Sequence, residues 1–203
     1  MSDVVSIKEL LEGVEVKWII LGNEDFIEVA NSGRKPVKAS LRILGDNPYY
    51  GANNIQDYVD GYTHDGIYVL IAEDDSASLK NYSIQYTNGE FWANNHIHVI
   101  RGKEKINTRF LYHYLCVVNF IPHLTGGGRA KLTKGKMLEI PISIPPLHIQ
   151  SKIVQVLDNF TELTARKKQY SYYRDQLLSF DVGEVNHLPM GDKKKDILYN
   201  EQD

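Results

Sequence analysis

Apolar residues in the first hundred positions come in short, roughly alternating runs, the period of strands with one buried face. Val14 to Leu21, which contains Trp18, is the first such run, and Phe26 to Ala30 is the second, closed by an Asn31-Ser32-Gly33 turn. Extended runs follow at Leu41–Leu44, Ile67–Ala72, Ser83–Thr87 and Ile97–Ile100. Gly45-Asp46-Asn47-Pro48, Asp65-Gly66 and Asn88-Gly89 carry turn chemistry and are expected to separate several of them. Short strands between such turns argue against a doubly wound parallel sheet, in which helices separate the strands. Residues 4–12 read as a short opening helix.

The period then changes. Asn107 or Thr108 can cap a helix starting near Arg109, because Phe110, Leu111, Tyr114, Leu115 and Val118 recur at helical spacing. Pro122 is expected to end it, and Thr125 to Arg129, with three glycines, reads as a flexible loop. Ile140 to Pro146 is extended, since each proline pushes its predecessor out of the helical region. From about Leu147 to Ser179 the pattern predicts one helix of roughly 50 Å. Ile149, Val156, Leu163, Tyr170 and Leu177 are spaced by seven, with Ile153, Phe160, Lys167 and Arg174 as the companion series. Such a seam either takes a partner helix or packs on its own domain, and periodicity leaves both open. Together these elements predict an α+β chain: a β-rich domain over 1–146, a coiled-coil-type helix over 147–180 and a weakly ordered tail over 181–203.

Composition narrows the class. Of 203 residues, 42% are apolar and 24% charged, which excludes wholesale disorder. No apolar run reaches the ~18 residues of a membrane span, and the acidic first twenty residues do not read as a signal peptide. The single cysteine, Cys116, excludes an internal disulfide framework and suits a reducing cytoplasm; its place in an apolar stretch puts it on or near the buried side of a helix. A net charge of −3 does not advertise nucleic-acid binding, although phosphate contact needs only a local basic surface. Two clusters qualify, Arg101, Lys103 and Lys105, and then Arg129, Lys131, Lys134 and Lys136.

The catalytic motifs are incomplete. His96 and His98 alternate as two metal ligands on one strand face would, with His64 or Asp65 as a further donor from elsewhere; a standalone metal-dependent enzyme is therefore the rival reading. Asp46-Asn47-Pro48-Tyr49-Tyr50 is similar to the Asn-Pro-Pro-Tyr signature of amino-group DNA methyltransferases but lacks its second proline, and no glycine-rich strand–turn–helix accompanies it. Glu15-Val16-Lys17 has a nuclease-like Glu-x-Lys without the preceding Pro-Asp. Gly126-Gly127-Gly128-Arg129 lacks the ending of a phosphate-binding loop. No catalytic residue, metal or cofactor is expected.

Several segments in fixed order carry a family resemblance. They are Trp18-Ile-Ile-Leu21-Gly22; Pro48 to Leu70, with Asp57, Tyr58, Asp65 and Gly66; Trp92 to Val99, with Asn95 and His96; Phe110 to Leu115; Gly126 to Lys134; and Ile144-Pro145-Pro146-Leu147-His-Ile-Gln150 leading to Asp158. Over roughly residues 15–180 the chain resembles one target-recognition domain and the following helix of type I restriction–modification specificity subunits. The resemblance implies a non-catalytic reader of one half of a bipartite double-stranded DNA target. It also implies a spacer helix that docks methyltransferase and, through it, restriction subunits. A full specificity subunit has two such halves, so a homodimer or pairing with another half-subunit is expected, joined along Ile149, Ile153, Val156, Phe160, Leu163, Tyr170 and Leu177. For DNA contact the expected residues are Tyr49, Tyr50, Asn53 and Asn54 after a turn, and Arg129 and Lys131 beside the glycines. A third reading is a protein-interaction module that uses the same helix.

Overall fold

The computed structural model describes residues 12–126 and 130–178, with side chains of the long helix as far as residue 169. The expected opening helix over 4–12, except for its last residue, and the tail over 181–203 lie outside the described residues; Glu12 itself stands in a turn.

Eight strands build the domain: β1 (Lys17–Ile20), β2 (Ile27–Val29), β3 (Leu44–Gly51), β4 (Asn54–Val59), β5 (His64–Ala72), β6 (Ile84–Ala93), β7 (Ile97–Gly102) and β8 (Pro141–Ile144). Helix α1 (Thr108–Leu115) follows β7, a short α2 (Lys134–Leu138) precedes β8, and α3 (Leu147–Leu178) follows it. Six strands form one sheet in the order β2-β7-β5-β6-β3-β4, and β1 pairs with β8 in a separate two-stranded sheet. All described pairings are antiparallel except β3 with β6.

β5 is central because both of its faces are apolar. Val69 and Ile71 face a core shared with β1, β8 and α1, whereas Tyr68 and Leu70 face a second cluster with Tyr50, Phe91 and Val99. Val69, Leu70 and Ile71 are fully buried, each contributing about 2 kcal/mol by removal of its surface from water.

Three expected turns are strand interior. Asp65-Gly66 and Asn88-Gly89 lie within β5 and β6, where Gly66 pairs with Gly89. Both glycines have positive φ, +121° and +100°, so the glycines that suggested turns instead let two long strands twist past each other. Gly45 to Pro48 lies within β3, at a register shift where Leu44 and Asn47 both face Val59. A Cβ on Gly45 would come within 2.4 Å of the Asp60 backbone nitrogen, so glycine here permits a close strand crossing.

Asn107 caps α1, its side chain accepting from the backbone N–H groups of Arg109 and Phe110, as its position predicts. The helix stops at Leu115, well short of Pro122, and Phe120 is buried against Tyr82 with ring centroids 4.7 Å apart. Cys116 therefore caps the helix and is exposed; the expectation of a buried side fails because the helical period has ended there.

The chain divides into two compact units, residues 1–159 and 160–203. Within the first, the opening turns of α3 are pinned to the domain. Gln150, fully buried, accepts a hydrogen bond from the Asn107 N–H at 2.8 Å and donates to the carbonyls of Lys105 and Pro145. Two turns on, Asp158 accepts from both Arg109 and His113 of α1. The hydrogen bond from Arg109 and then that from His113 overcome the cost of burial and hold the Asp158 carboxyl below its ordinary range.

Candidate nucleic-acid interface

The end of β5 is a polar knot. Glu73 accepts from Arg34 at 2.6 Å and from Lys131 at 3.0 Å, and its backbone carbonyl accepts from the Leu132 N–H at 2.7 Å. Arg34 also donates to the Ile97 carbonyl at 2.7 Å. Burial would raise the Glu73 carboxyl, but the hydrogen bonds from Arg34 and Lys131 outweigh it and set it below its ordinary value.

His98 sits beside this knot with no exposed surface, its Nε2 2.7 Å from the Leu132 carbonyl and its Nδ1 2.9 Å from the Asn31 amide. That pairing assigns the proton to Nε2 and leaves Nδ1 accepting. Burial lowers the pKa of His98 and outweighs the raising effects of the Leu132 carbonyl and Glu73, so the ring is neutral.

The two histidines of the rival metal reading do not share a site. Both ring nitrogens of His98 are spent in the interior, while His96, partly exposed, pairs its Nδ1 with Asp74 at 2.6 Å. His64, the further ligand considered, is buried against Phe91 with its nitrogens on Thr63 and the Ala30 carbonyl. Asp74, Asp75 and His96 do bring ligand atoms within 4.8 Å of one another, a grouping that exposed acidic side chains also form without an ion.

The expected DNA-contact residues separate into three environments. Tyr49 and Tyr50 are buried: the Tyr49 hydroxyl accepts from the Val37 N–H at 3.0 Å, and Tyr50 meets Phe91 edge-on. Their rings serve the interior rather than the surface that a base reader would need. Asn53 forms the tip of the β3–β4 hairpin and clamps the loop after β5, donating to the Asp75 carbonyl at 2.7 Å and accepting from the Ala77 N–H at 2.7 Å. Asn54, beside it, is exposed. Lys131 exchanges two backbone hydrogen bonds of 2.8 Å with Thr125, closing the base of the glycine loop, and its side chain is 45% exposed. Arg129 lies outside the described residues.

A further basic stretch emerges that neither sequence cluster included. From Val29 to Gly45 there is no Asp or Glu, while Arg34, Lys35, Lys38 and Arg42 all fall within it. This absence of acids over seventeen consecutive residues was the available signal, but it is spread too thinly to register as a charge cluster.

On α3 the seam divides along its length. Ile149 is buried and Ile153 packs against the core, so at these positions the helix covers its own domain. Val156 is half-buried, whereas Phe160 and Leu163 are 60% and 51% exposed. The side chains of Tyr170 and Leu177 lie outside the described residues. No described helix is long and apolar enough to cross a membrane.

Residues 15–170 match the family model described as the type I restriction modification DNA specificity domain. A putative type I restriction enzyme specificity subunit of Haemophilus influenzae is 56% identical over 203 residues, which cover 92% of this chain and 52% of that protein. A type I restriction enzyme specificity subunit of Escherichia coli is 31% identical, covering 95% of this chain and 52% of its own. The chain thus spans about half the length of these curated relatives. Among solved structures, the type I restriction–modification S subunit from M. genitalium superposes with a TM-score of 0.62 at 18% identity, over 83% of this chain and 46% of that one. The HsdS subunit from Thermoanaerobacter tengcongensis superposes with a TM-score of 0.53 at 19% identity, over 78% and 41%. At such identities the likeness is one of fold.

Proposed function

The chain belongs to the type I restriction modification DNA specificity domain family, and from that premise we propose that it reads one half of a bipartite DNA target for a type I restriction–modification enzyme. The observation that carries the reading is the continuous family match over residues 15–170, running from the first strand through the sheet and on into α3. The protein is the non-catalytic reader of a cytoplasmic complex that holds methyltransferase and restriction subunits. Residues 1–146 form the target-recognition domain and 147–180 the spacer, whose first turns are seated on that domain by Gln150 and Asp158.

The 32 residues of α3 rise about 48 Å, enough to separate two reading domains along a duplex. Exposed Phe160 and Leu163 provide an apolar surface for a second helix, contributed by another copy or another half-subunit. Asn54, Lys131 and Arg129 are the proposed DNA contacts at the hairpin and glycine-loop end, with Asn53 holding the hairpin in place and Tyr49 and Tyr50 supporting the sheet beneath.

Co-expression with a type I modification subunit, followed by mapping of methylated adenines across the host genome, tests the reading. Methylation at a split motif is the expected result, palindromic if two copies pair. A genome without new methylation would overturn it. Leu163→Asp places a charge on the exposed apolar face and is expected to halve the solution mass of a self-associated chain; an unchanged mass would remove that face from the contact.

A further inference from the structure

Lys35 to Leu44 combines three properties. The first is positive charge without a carboxylate partner. Lys35 and Lys38 are exposed, and neither has an ion-pair partner among the described residues, the Lys35 ammonium lying 5.7 Å over the Trp92 ring. Arg34 and Arg42 differ: Arg34 is tied to Glu73, and Arg42 lies over the Tyr49 ring at 4.0 Å with Asp57 at 3.4 Å.

The second is exposed aliphatic surface. Leu41, Ile43 and Leu44 are 69%, 70% and 84% exposed, three large side chains in four positions that the domain leaves in water. Leu41 ends a single 3-10 turn, Ala39–Leu41, and a hollow of about 150 Å3 remains between this segment and Tyr49, Val59 and Trp92.

The third is a fixed backbone. The Lys35 N–H donates to the Ala93 carbonyl at 2.9 Å, and the Lys35 carbonyl accepts from the Trp92 indole at 2.6 Å. The Val37 N–H donates to the Tyr49 hydroxyl, and the Ile43 carbonyl accepts from the Asp60 N–H at 2.8 Å. The segment is held at both ends and in the middle while its side chains are left outside.

We propose that Lys35 to Leu44 is a DNA-reading loop in which Lys35 and Lys38 take backbone phosphates and Leu41, Ile43 and Leu44 meet base edges in the groove. This rests on the DNA-recognition reading above. Lysines without a carboxylate partner release counterions from phosphate, which sets affinity and its salt dependence. Aliphatic side chains beside them can recognise a thymine methyl or wedge at a base step, which sets sequence preference. A backbone already hydrogen-bonded loses little freedom on contact, so the loop is pre-organised for binding. The exposed carboxylate of Asp60 near Ile43 disfavours phosphate on that side and places the backbone contacts toward Lys35 and Lys38. An apolar protein partner would also cover Leu41 and Ile43, but it would not account for a long acid-free stretch with unpaired lysines.

The test uses the full chain co-purified with a type I modification subunit, a mixed-sequence duplex as the phosphate probe, and adenine-methylation mapping as the sequence readout. In Lys35→Ala/Lys38→Ala, the slope of log affinity against log salt is expected to fall by about two, with affinity at low salt about tenfold weaker. Leu41→Ser/Ile43→Asn is expected to leave that slope in place and to relax or change at least one position of the methylated motif. Circular dichroism melts confirm that both variants fold. If the wild type methylates a motif and both variants keep its slope and its motif, the loop is overturned while the DNA-recognition reading stands, and this surface belongs to a protein contact. If the wild type neither binds the duplex nor methylates, the reading and the loop fall together.

Discussion

Two parts of the domain carry positive charge and use it in opposite ways. At the end of β5, Arg34 and Lys131 converge on Glu73 and join β5, β7 and the Lys131–Leu132 segment, with Lys131 still partly exposed. Between Lys35 and Leu44, it is the backbone that is satisfied, by Trp92, Tyr49, Ala93 and Asp60, while Lys35 and Lys38 have no carboxylate partner among the described residues. The first region is architecture built from charged groups; the second is a surface built on architecture. A basic residue held by an internal carboxylate has less charge to offer nucleic acid than one that is not, and that pairing is a property of the fold.

The comparison breaks most visibly at Glu73. Glu73→Gln strands Arg34 and Lys131 without a counter-charge in a half-buried setting and is expected to cost about 3 kcal/mol of unfolding free energy, read from the urea midpoint. A loss below about 1 kcal/mol would show the knot to be ornamental, since that is the scale of an exposed pair.

The same region sets a pH response. His98 is depressed below its ordinary 6.5 and Glu73 below its ordinary 4.5. The unfolded chain therefore binds more protons in each window, and acid favours it. Stability is expected to be complete above pH 6.5, to decline as pH falls through that value toward the folded pKa of His98, and to decline again below pH 4.5 toward that of Glu73. Urea midpoints measured across this range in the wild type and in His98→Gln check it, because the variant should lose the first decline only.

Smaller effects sharpen the other side. Tyr49→Phe removes the hydroxyl that accepts from Val37 and is expected to cost about 1 kcal/mol, with fidelity at the methylated motif reduced and the salt slope unchanged. A reduced slope would show Tyr49 contacting DNA itself. Smallest of all, Lys38→Ala should change stability by less than about 0.5 kcal/mol, as expected for an exposed side chain without a partner. A larger loss would mean that this lysine, too, has been claimed by the fold.

Much of the fold was legible from periodicity. The other alternating runs, the Asn107 cap and the long helix after Pro146 all depend on local spacing and are present within a few residues of their expected places, whereas the run expected at Leu41–Leu44 is a 3-10 turn leading into β3, which starts only at Leu44. The turns at Asp65-Gly66 and Asn88-Gly89 were misplaced because glycine signals permissive backbone in general, and only the partner strand decides whether that freedom makes a turn or a twist. The site was less legible. His96 and His98 stand two apart in the chain yet have unrelated surroundings, one paired with Asp74 near the surface and the other enclosed between Asn31 and Leu132.

The sequence by itself determined the class of the protein: a strand-rich domain followed by one long helix, with segment order matching a specificity family. Those features are local or are carried by motif order, so they survive without knowledge of contacts. Gln150 shows the boundary. Its place in the Pro-Pro-Leu-His-Ile-Gln segment was visible at once, but its role as the buried pin between α3, Asn107 and Lys105 was not. Which tyrosines became interior, which half of the α3 seam was used up by its own domain, and which lysines kept their charge free were decided by tertiary structure. Burial and ion pairing depend on residues far apart in the chain, and their partners are chosen only when the sheet closes.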